Sequence, residues 1–430
     1  MTASGKPAAP PSRRQFLQTG AAAVVGGALA GSLVVPTVHA AGSDALKYAL
    51  IGCGGRGSGA ALNAMHADPS NKLTVLCDIF PDVLDRGYKV LERQLGAQFA
   101  VTKDNCFSGF DGYQQVMASD ADVVMLCTTP HFRPMHLRAA VEAGKQIFCE
   151  KPVAVDGPGV RSCLESAKLA AEKNLNLVSG LCWRYDHGVR ATIDQIKSGA
   201  IGDIVAIQEN YLTGFLWHRG RKPEWSEMEY QIRNWMYFTW LSGDHNVEQH
   251  IHSLDKALWL NDDQPPAACY GLGGRQARNS EEWGNIYDHH AVVYQWPSGV
   301  NCFAFTRQMG ECFNETEDFV WGTKGKAAVL KHEVTSGDKT WKYKGDKPSM
   351  YDVEHVALYD AIRSGKTINN GTYQAYSTML AIMGRMATYT GQKITWDMAI
   401  NSQENLSPDK YEWGDVKVPM VAVPGQTKFL

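Results

Sequence analysis

One short segment constrains the fold more than any other part of the chain. Residues 47–51 (K-Y-A-L-I) form an apolar run typical of a buried parallel strand, and residues 52–57 (G-C-G-G-R-G) follow it directly, before a helical stretch through Met65. In this position, the three glycines of G-x-G-x-x-G allow a tight turn, a close approach of backbone to a pyrophosphate, and close packing of the helix. The phosphates would lie at the positive end of that helix. We therefore expect a dinucleotide to contact Gly52, Gly54, Gly55, Arg56 and Gly57.

A second apolar strand over residues 73–77 ends in Asp78, which lies 78 − 57 = 21 positions beyond Gly57. A carboxylate at this spacing binds the ribose hydroxyls of the coenzyme. Residues 79–81 (I-F-P) offer no cation for a 2′-phosphate, so NAD is favoured over NADP. The alternative is that Asp78 caps the next helix and does not contact the coenzyme.

Strands and helices then alternate along the chain. Residues 122–126, 146–149 and 175–179 have strand character, and residues 133–143 and 159–172 have helix character. This alternation predicts an α/β fold with a doubly wound parallel sheet. Ligands of such sheets bind beyond the carboxyl ends of the strands. We expect the nicotinamide site there, at Thr128, Thr129, Pro130, Glu150 and Lys151.

The motifs together resemble the Gfo/Idh/MocA family of nicotinamide-dependent oxidoreductases. The resemblance rests on the glycine turn, Asp78, the Thr129-Pro130 turn, residues 143–145 (A-G-K) and, above all, residues 150–152 (E-K-P), and it extends over most of residues 45–400. It implies a second, α+β domain with an open, mainly antiparallel sheet that carries the substrate pocket. We expect a Rossmann domain over residues 41–180, a substrate domain over 181–400 and a tail over 401–430 that could wrap a neighbouring subunit of a homo-oligomer.

The resemblance also implies the catalytic groups. In the family, the lysine of E-K-P approaches nicotinamide and substrate, and a D-x-G-x-H-x-x-D segment supplies further acid–base groups. The matching residues here are 248–255 (E-Q-H-I-H-S-L-D), so Glu248 replaces the first aspartate and His250 replaces the glycine. We expect His252 to act as the base, Lys151 to stabilise the oxyanion and Glu248 to orient both. Asp255 would support the helix or His252.

Glu248, His250 and His252 are also metal-ligand types at close spacing. If the segment is helical, residues 248 and 252 share a face and residue 250 points away, whereas an extended segment would align all three. The ten cysteines show no zinc-like spacing. We therefore predict no metal site, provided that this segment is helical.

Other residues of the second domain suit substrate binding. Residues 183–185 (W-R-Y) are similar to the family's entry into that domain, so we expect Arg184, Tyr185 and His250 near the substrate. Trp217 and Trp235 lie in a stretch of low periodicity, either a sugar-facing loop or a small satellite core. His245 and His289 are expected to be hydrogen-bonded core residues.

Composition limits the partners. The formal charge is −3, from 42 basic and 45 acidic residues without long runs of one sign. This net charge gives no electrostatic reason to expect a nucleic-acid partner. It gives none for a membrane partner either, once an N-terminal signal has been removed. We expect a carbohydrate-like substrate that is neutral or weakly charged.

The N-terminus has the pattern of an export signal. Arg13 and Arg14 precede a weakly hydrophobic Gly/Ala-rich stretch over residues 20–35, and residues 38–40 (V-H-A) form a small-residue cleavage site. This pattern predicts a removable twin-arginine signal over residues 1–40 and a periplasmic or otherwise exported protein. A membrane anchor is the alternative.

Export restricts the reaction. An exported dehydrogenase has no obvious pool of free NAD, so tightly bound coenzyme and a closed redox cycle are favoured. We expect an NAD(P)-dependent oxidoreductase that takes hydride from a secondary hydroxyl of a sugar, polyol or glycoside. The alternatives are a redox-neutral NAD-dependent glycosidase or lyase and a non-catalytic sugar sensor.

Replacing Arg13 and Arg14 by lysine should leave unprocessed protein in the cytoplasm, because the twin arginines direct this export route. Cell fractionation and the N-terminal sequence of the mature protein, expected to begin at Ala41, measure the outcome. Export and processing of the double-lysine variant would refute twin-arginine routing.

Overall fold

Six parallel strands form the first sheet in the computed structural model, which describes residues 45–430. Their order in the sheet is β3-β2-β1-β4-β5-β6. Parallel sheets are buried on both faces, and all four residues of β4 are accordingly buried. The strands are β1 (Lys47–Ile51), β2 (Lys72–Asp78), β3 (Cys106–Ser108), β4 (Val123–Leu126), β5 (Gln146–Cys149) and β6 (Leu177–Ser179).

Helices cover both faces of this sheet, as the alternation predicts. One of them begins at a side-chain cap, where Asp156 accepts a hydrogen bond from the Gly159 N–H at 2.8 Å. The helices are α1 (Gly55–His66), α2 (Pro81–Leu95), α3 (Gly112–Ala118), α4 (Arg133–Glu142) and α5 (Gly157–Glu172). The doubly wound Rossmann fold is confirmed.

The second sheet has nine strands in the order β14-β13-β12-β11-β7-β10-β9-β8-β15. All of its neighbouring pairs are antiparallel except β7 and β10, so the mainly antiparallel sheet is also confirmed. Its strands are β7 (Ile204–Thr213), β8 (Ala268–Gly274), β9 (His289–Gln295), β10 (Asn301–Gln308), β11 (Glu315–Gly322), β12 (Gly325–Ala328), β13 (Glu333–Ser336), β14 (Lys339–Lys342) and β15 (Ile394–Thr395).

Helices of the second half connect the two sheets. The long helix α12 (Gly371–Thr390) is buried along nearly its whole length and packs against both α5 and β8. One hydrophobic core consequently runs from the Rossmann sheet into the second sheet. The remaining helices are α6 (His187–Lys197), α7 (Glu227–Arg233), α8 (Thr239–Ser242), α9 (His245–Glu248), α10 (Ile251–Leu260), α11 (Met350–Ser364) and α13 (Trp396–Asn401).

A separate aromatic core lies where residues 214–241 meet the Rossmann domain. Phe80 and Phe132 of the Rossmann domain are buried against Met236, Phe238 and Trp240. Arg233 adds an ion pair to Asp82 at 2.9 Å and lies 3.9 Å from the ring centre of Phe80. Part of the low-periodicity stretch is therefore a satellite core that joins the two domains, whereas Trp217 is 42% exposed and does not belong to that core.

The C-terminal tail packs against its own chain. Tyr411 Oη lies 2.8 Å from His131 Nε2, and the Trp413 ring stacks on Phe80 with ring centres 5.5 Å apart. Further along, the Gly414 carbonyl accepts a hydrogen bond from the Met228 N–H. The tail therefore lies across both domains of its own chain, and its contact with a neighbouring subunit stays a prediction.

Several large apolar side chains remain exposed on β8 and β10, including Leu272, Phe303 and Phe305. The homo-oligomer stays a prediction, and the signal expected over residues 1–40 lies outside the described residues. Within residues 45–430, every helix is too short or too polar to cross a membrane.

The Gly57→Ala substitution should lower the free energy of unfolding by about 1–3 kcal/mol or more, because a Cβ there would lie 1.7 Å from the Gly52 carbonyl oxygen. Gly59→Ala is the matched control on the same helix, where the nearest atom lies 3.7 Å away. Alanine should stabilise that position by about 0.5–1 kcal/mol. Equal urea midpoints for the two variants would contradict the close packing at Gly57.

Candidate active site

The glycine turn opens on a cleft at the carboxyl edge of the Rossmann sheet. Gly52 has φ +98°, and Gly57 packs on its carbonyl oxygen, whereas a Cβ on Gly54 or Gly55 would meet no atom within 4 Å. The turn therefore leaves exposed backbone beside a cleft of about 910 Å³. The predicted coenzyme residues that line this cleft are Gly52, Gly54, Asp78, Thr128 and Thr129.

Asp78 lies at the end of β2 and is 7% exposed. One carboxylate oxygen accepts the Cys53 N–H at 2.7 Å and the other accepts the Phe80 N–H at 3.0 Å. Burial raises the pKa of Asp78 to about 6, against the lowering effect of these two hydrogen bonds. Each carboxylate oxygen has two lone pairs, so acceptor capacity remains for a ribose diol.

This edge of the sheet fits a dinucleotide. Accessible backbone lies at the start of α1, a carboxylate with spare acceptor capacity ends the neighbouring strand, and the cleft runs on along Thr128 and Thr129. The end of an α-helix that presents free N–H groups is also a favourable place for phosphate.

A second cavity, of about 940 Å³, adjoins this cleft and shares Cys127, Thr128, Thr129, Trp217 and Trp235 with it. The predicted catalytic residues Lys151, Glu248 and His252 all line the second cavity. Lys151 Nζ donates to Glu248 Oε1 at 2.9 Å and also to the Glu248 carbonyl oxygen. Since Lys151 follows β5 and Glu248 ends α9, this ion pair joins the two domains at the cavity.

His252 lies on α10 and is neutral at neutral pH. Burial lowers its pKa well below the usual value of 6.5, and the positive charge of Lys151 lowers it further. Its Nδ1 has no hydrogen-bond partner among residues 45–430. A neutral imidazole beside a lysine can accept a proton from a hydroxyl group held in the cavity.

Arg56 and Glu150 line the second cavity rather than the coenzyme cleft. The Arg56 guanidinium pairs with Glu150 and, at 3.1 Å, with Glu354 of α11. It also lies 4.8 Å from the ring centre of Tyr351. Burial, followed by the charge of Glu150, raises the pKa of Glu354 well above its usual value. Sequence reasoning missed this α11 contribution because nearly 300 residues separate the partners.

Three residues expected at the substrate do not line either cavity. Arg184 pairs with Asp255 at 2.8 Å and with Asp263 at 2.6 Å, so Asp255 supports Arg184 rather than His252. Tyr185 donates to Asn370 Oδ1, and His250 is fully buried with its Nδ1 3.0 Å from Asn246 Oδ1. The structure therefore does not place Arg184, Tyr185 and His250 as substrate contacts. Pro130, which was expected at the coenzyme, follows β4 but also lines neither cavity.

The segment is not one continuous helix, since α9 ends at Glu248 and α10 begins at Ile251, but Glu248 and His252 still face the cavity while His250 is buried in the core. The described residues do bring three other metal-ligand types together, namely Asp244, His245 and His290. The Asp244 carboxylate, however, already accepts hydrogen bonds from Tyr389 Oη and from the Asn246 and Tyr287 N–H groups. The Asp244 carboxylate is therefore part of a buried hydrogen-bond network.

Comparison with known proteins agrees with this geometry. Residues 46–181 match the model of the oxidoreductase family with an NAD-binding Rossmann fold, Gfo/Idh/MocA. The chain is 31% identical over 347 residues to inositol 2-dehydrogenase of Pseudomonas syringae pv. syringae, covering 78% of this chain and 92% of that relative. The chain belongs to the Gfo/Idh/MocA family.

Two further proteins are similar to the chain at lower sequence identity. The 2,7-anhydro-N-acetylneuraminate hydratase of Escherichia coli is 26% identical over 215 residues, covering 50% of this chain and 52% of the relative. For several of its curated relatives the chain matches only a little over half of their length. The aldose-aldose oxidoreductase of Caulobacter crescentus, crystallised with glycerol, shares the fold with a TM-score of 0.64, 18% identity and coverage of 82% of this chain and 99% of that one.

Asp78→Asn should weaken NAD binding by about 1–3 kcal/mol, with little effect on NADP, because it removes a charge-assisted acceptor for the ribose. The wild-type affinity for NAD should fall as the pH drops through about 6, where Asp78 becomes protonated. The affinity of the asparagine variant should not follow pH in this range. Titration calorimetry from pH 5 to 8 measures both, and equal loss for NAD and NADP would assign Asp78 a structural role.

Proposed function

We propose that this protein is an NAD-dependent oxidoreductase that oxidises a secondary hydroxyl of a sugar, polyol or glycoside and retains its coenzyme between turnovers. The observation that carries the proposal is the meeting of Lys151, Glu248 and His252 in one cavity next to the coenzyme cleft. The inositol dehydrogenase and aldose-aldose oxidoreductase relatives support a polyhydroxylated substrate.

The residues of the cavity divide the proton chemistry between them. NAD, when bound, supplies the hydride acceptor. The neutral His252 ring takes the hydroxyl proton, and the Lys151 ammonium stabilises the negative charge that develops on the oxygen. Glu248 holds Lys151 through its carboxylate and its carbonyl oxygen. Trp217 and Trp235 provide apolar ring faces suited to a sugar.

The tail supports retention of the coenzyme. Tyr411 and Trp413 pack on Phe80, Phe110 and Phe132, three aromatic residues that line the coenzyme cleft. A bound coenzyme would therefore contact cleft residues that the tail stabilises by packing against them. Retention also suits the export that we propose from the N-terminal sequence, since it removes the need for external NAD.

A redox-neutral elimination or hydration is the second candidate. It is favoured by the hydratase relative, whose substrate by name is an anhydrosugar. In this version the same His252 and Lys151 would handle protons while the coenzyme returns to its starting state within each turnover.

Incubating the purified protein with free sugars and with intact glycosides tests the two candidates. In the oxidoreductase, a free sugar should reduce the bound coenzyme, and a second carbonyl compound should reoxidise it, as followed by absorbance. In the redox-neutral enzyme, a glycoside should be cleaved without net change in absorbance. Neither reaction across a broad panel would refute both.

Lys151→Ala and His252→Ala should each lower turnover by about 100-fold or more, because both act on the same proton transfer. Groups that act as a unit are non-additive, so the double variant should be little worse than the poorer single variant. Coenzyme content, measured after denaturation, should stay nearly constant and serves as the control. Fully multiplicative losses would separate the two roles.

Replacing Tyr411 and Trp413 together by alanine should speed dissociation of the coenzyme by about 10-fold or more, since aromatic pairs contribute about 0.5–1.5 kcal/mol each beyond their buried area. Met420→Ala is the matched control, because that tail side chain is 85% exposed. Coenzyme retained after dialysis and the dissociation rate are the measurements. An unchanged rate in the double variant would mean that the tail does not hold the coenzyme.

A further inference from the structure

Arg133 stands out in the wall of the second cavity. It is the first residue of α4, is only 5% exposed and lines the cavity that holds Lys151, Glu248 and His252. Its Nη1 donates to the Pro152 carbonyl oxygen, and its buried Nε has no partner. Within the described part of the chain, no carboxylate lies within salt-bridge distance of it.

The other charges of this cavity cancel in pairs. Lys151 is matched by Glu248, and Arg56 is matched by Glu150. Glu354, behind Arg56, is fully buried and favours its neutral form, and His252 is neutral as well. Arg133 is therefore the cation of this cavity that has no carboxylate partner among residues 45–430.

That charge is costly without a ligand. A guanidinium stays protonated at any physiological pH, and a buried charge without a counter-ion is strongly unfavourable. The start of a helix is also the wrong end for a cation, because the helix dipole is positive there. A nearby hydroxyl, Thr129 Oγ1, is likewise buried in the cavity wall without a partner.

We propose that Arg133 binds a carboxylate of the substrate, so that the substrate is a sugar acid rather than a neutral sugar. This inference rests on the proposed function, and it differs from the sequence-based expectation of a neutral or weakly charged substrate. The guanidinium fork matches a carboxylate in charge and geometry, and Thr129 Oγ1 can add a donor. The coenzyme phosphates are a less suitable match, because Arg133 does not line the coenzyme cleft.

Matched pairs of sugars that differ at one carbon test the proposal: D-glucuronate with D-glucose, and D-galacturonate with D-galactose. Reduction of the bound coenzyme gives kcat and KM for each. The wild type should prefer the acid of at least one pair by about 10-fold or more in kcat/KM, the scale of a charge-assisted hydrogen bond. A preference for the neutral sugar in both pairs would overturn the proposal.

Substitutions of Arg133 test whether this residue causes the preference for the sugar acid. Arg133→Met should raise KM for the acid by about 10- to 100-fold and leave KM for the neutral sugar unchanged, whereas Arg133→Lys should keep part of the preference. Arg138→Met is the matched control, since Arg138 lies on the same helix but is exposed and paired with Glu142. Equal losses for acid and neutral sugar, or loss of the coenzyme from Arg133→Met, would overturn the proposal.

The inference can fail separately from the proposed function. If no sugar of either kind reduces the coenzyme, the proposed function has failed, and calorimetric titration with the same acids decides the anion site. Binding by the wild type but not by Arg133→Met would support it. Absence of binding to the wild type would overturn it.

Discussion

The ion pair between Lys151 and Glu248 is the contact on which the active site depends. Its two halves come from different domains, and both side chains are nearly buried, with exposures of 12% and 10%. Each charge needs the other, since a buried charge that loses its partner is strongly destabilising. The pair therefore ties Lys151, at the carboxyl edge of the Rossmann sheet, to Glu248 of the second domain, and His252, four residues further along the chain, lines the same cavity.

Around this pair, the protein separates two environments that share a wall. The coenzyme cleft has exposed glycine backbone, one buried carboxylate and two arginines, whereas the second cavity has three cations and two carboxylates. Thr128, Thr129 and the two tryptophans belong to both. Groups on this shared wall can contact both a coenzyme and a substrate, which is the arrangement that direct transfer between them requires.

The features that depend on neighbouring residues or on a short motif could be predicted from the sequence. The glycine turn, Asp78 and the strand alternation follow from neighbouring residues, and Lys151, Glu248 and His252 follow from motif positions. The motif misplaced Arg184 because the turn at Cys182–Tyr185 directs that side chain to Asp255 and Asp263. Arg133, the Arg56–Glu354 pair and the tail contacts could not be predicted, because each depends on which distant segments meet after folding.

The tail has a consequence for how the protein is made. Trp413 contacts Phe80, more than 300 residues earlier, so this part of the cleft wall contains residues that are synthesised long after the Rossmann domain. The Rossmann domain is complete in sequence long before, and domains fold in order of synthesis. The order of synthesis therefore separates two events, the formation of the nucleotide cleft and the later packing of Tyr411 and Trp413 against its wall.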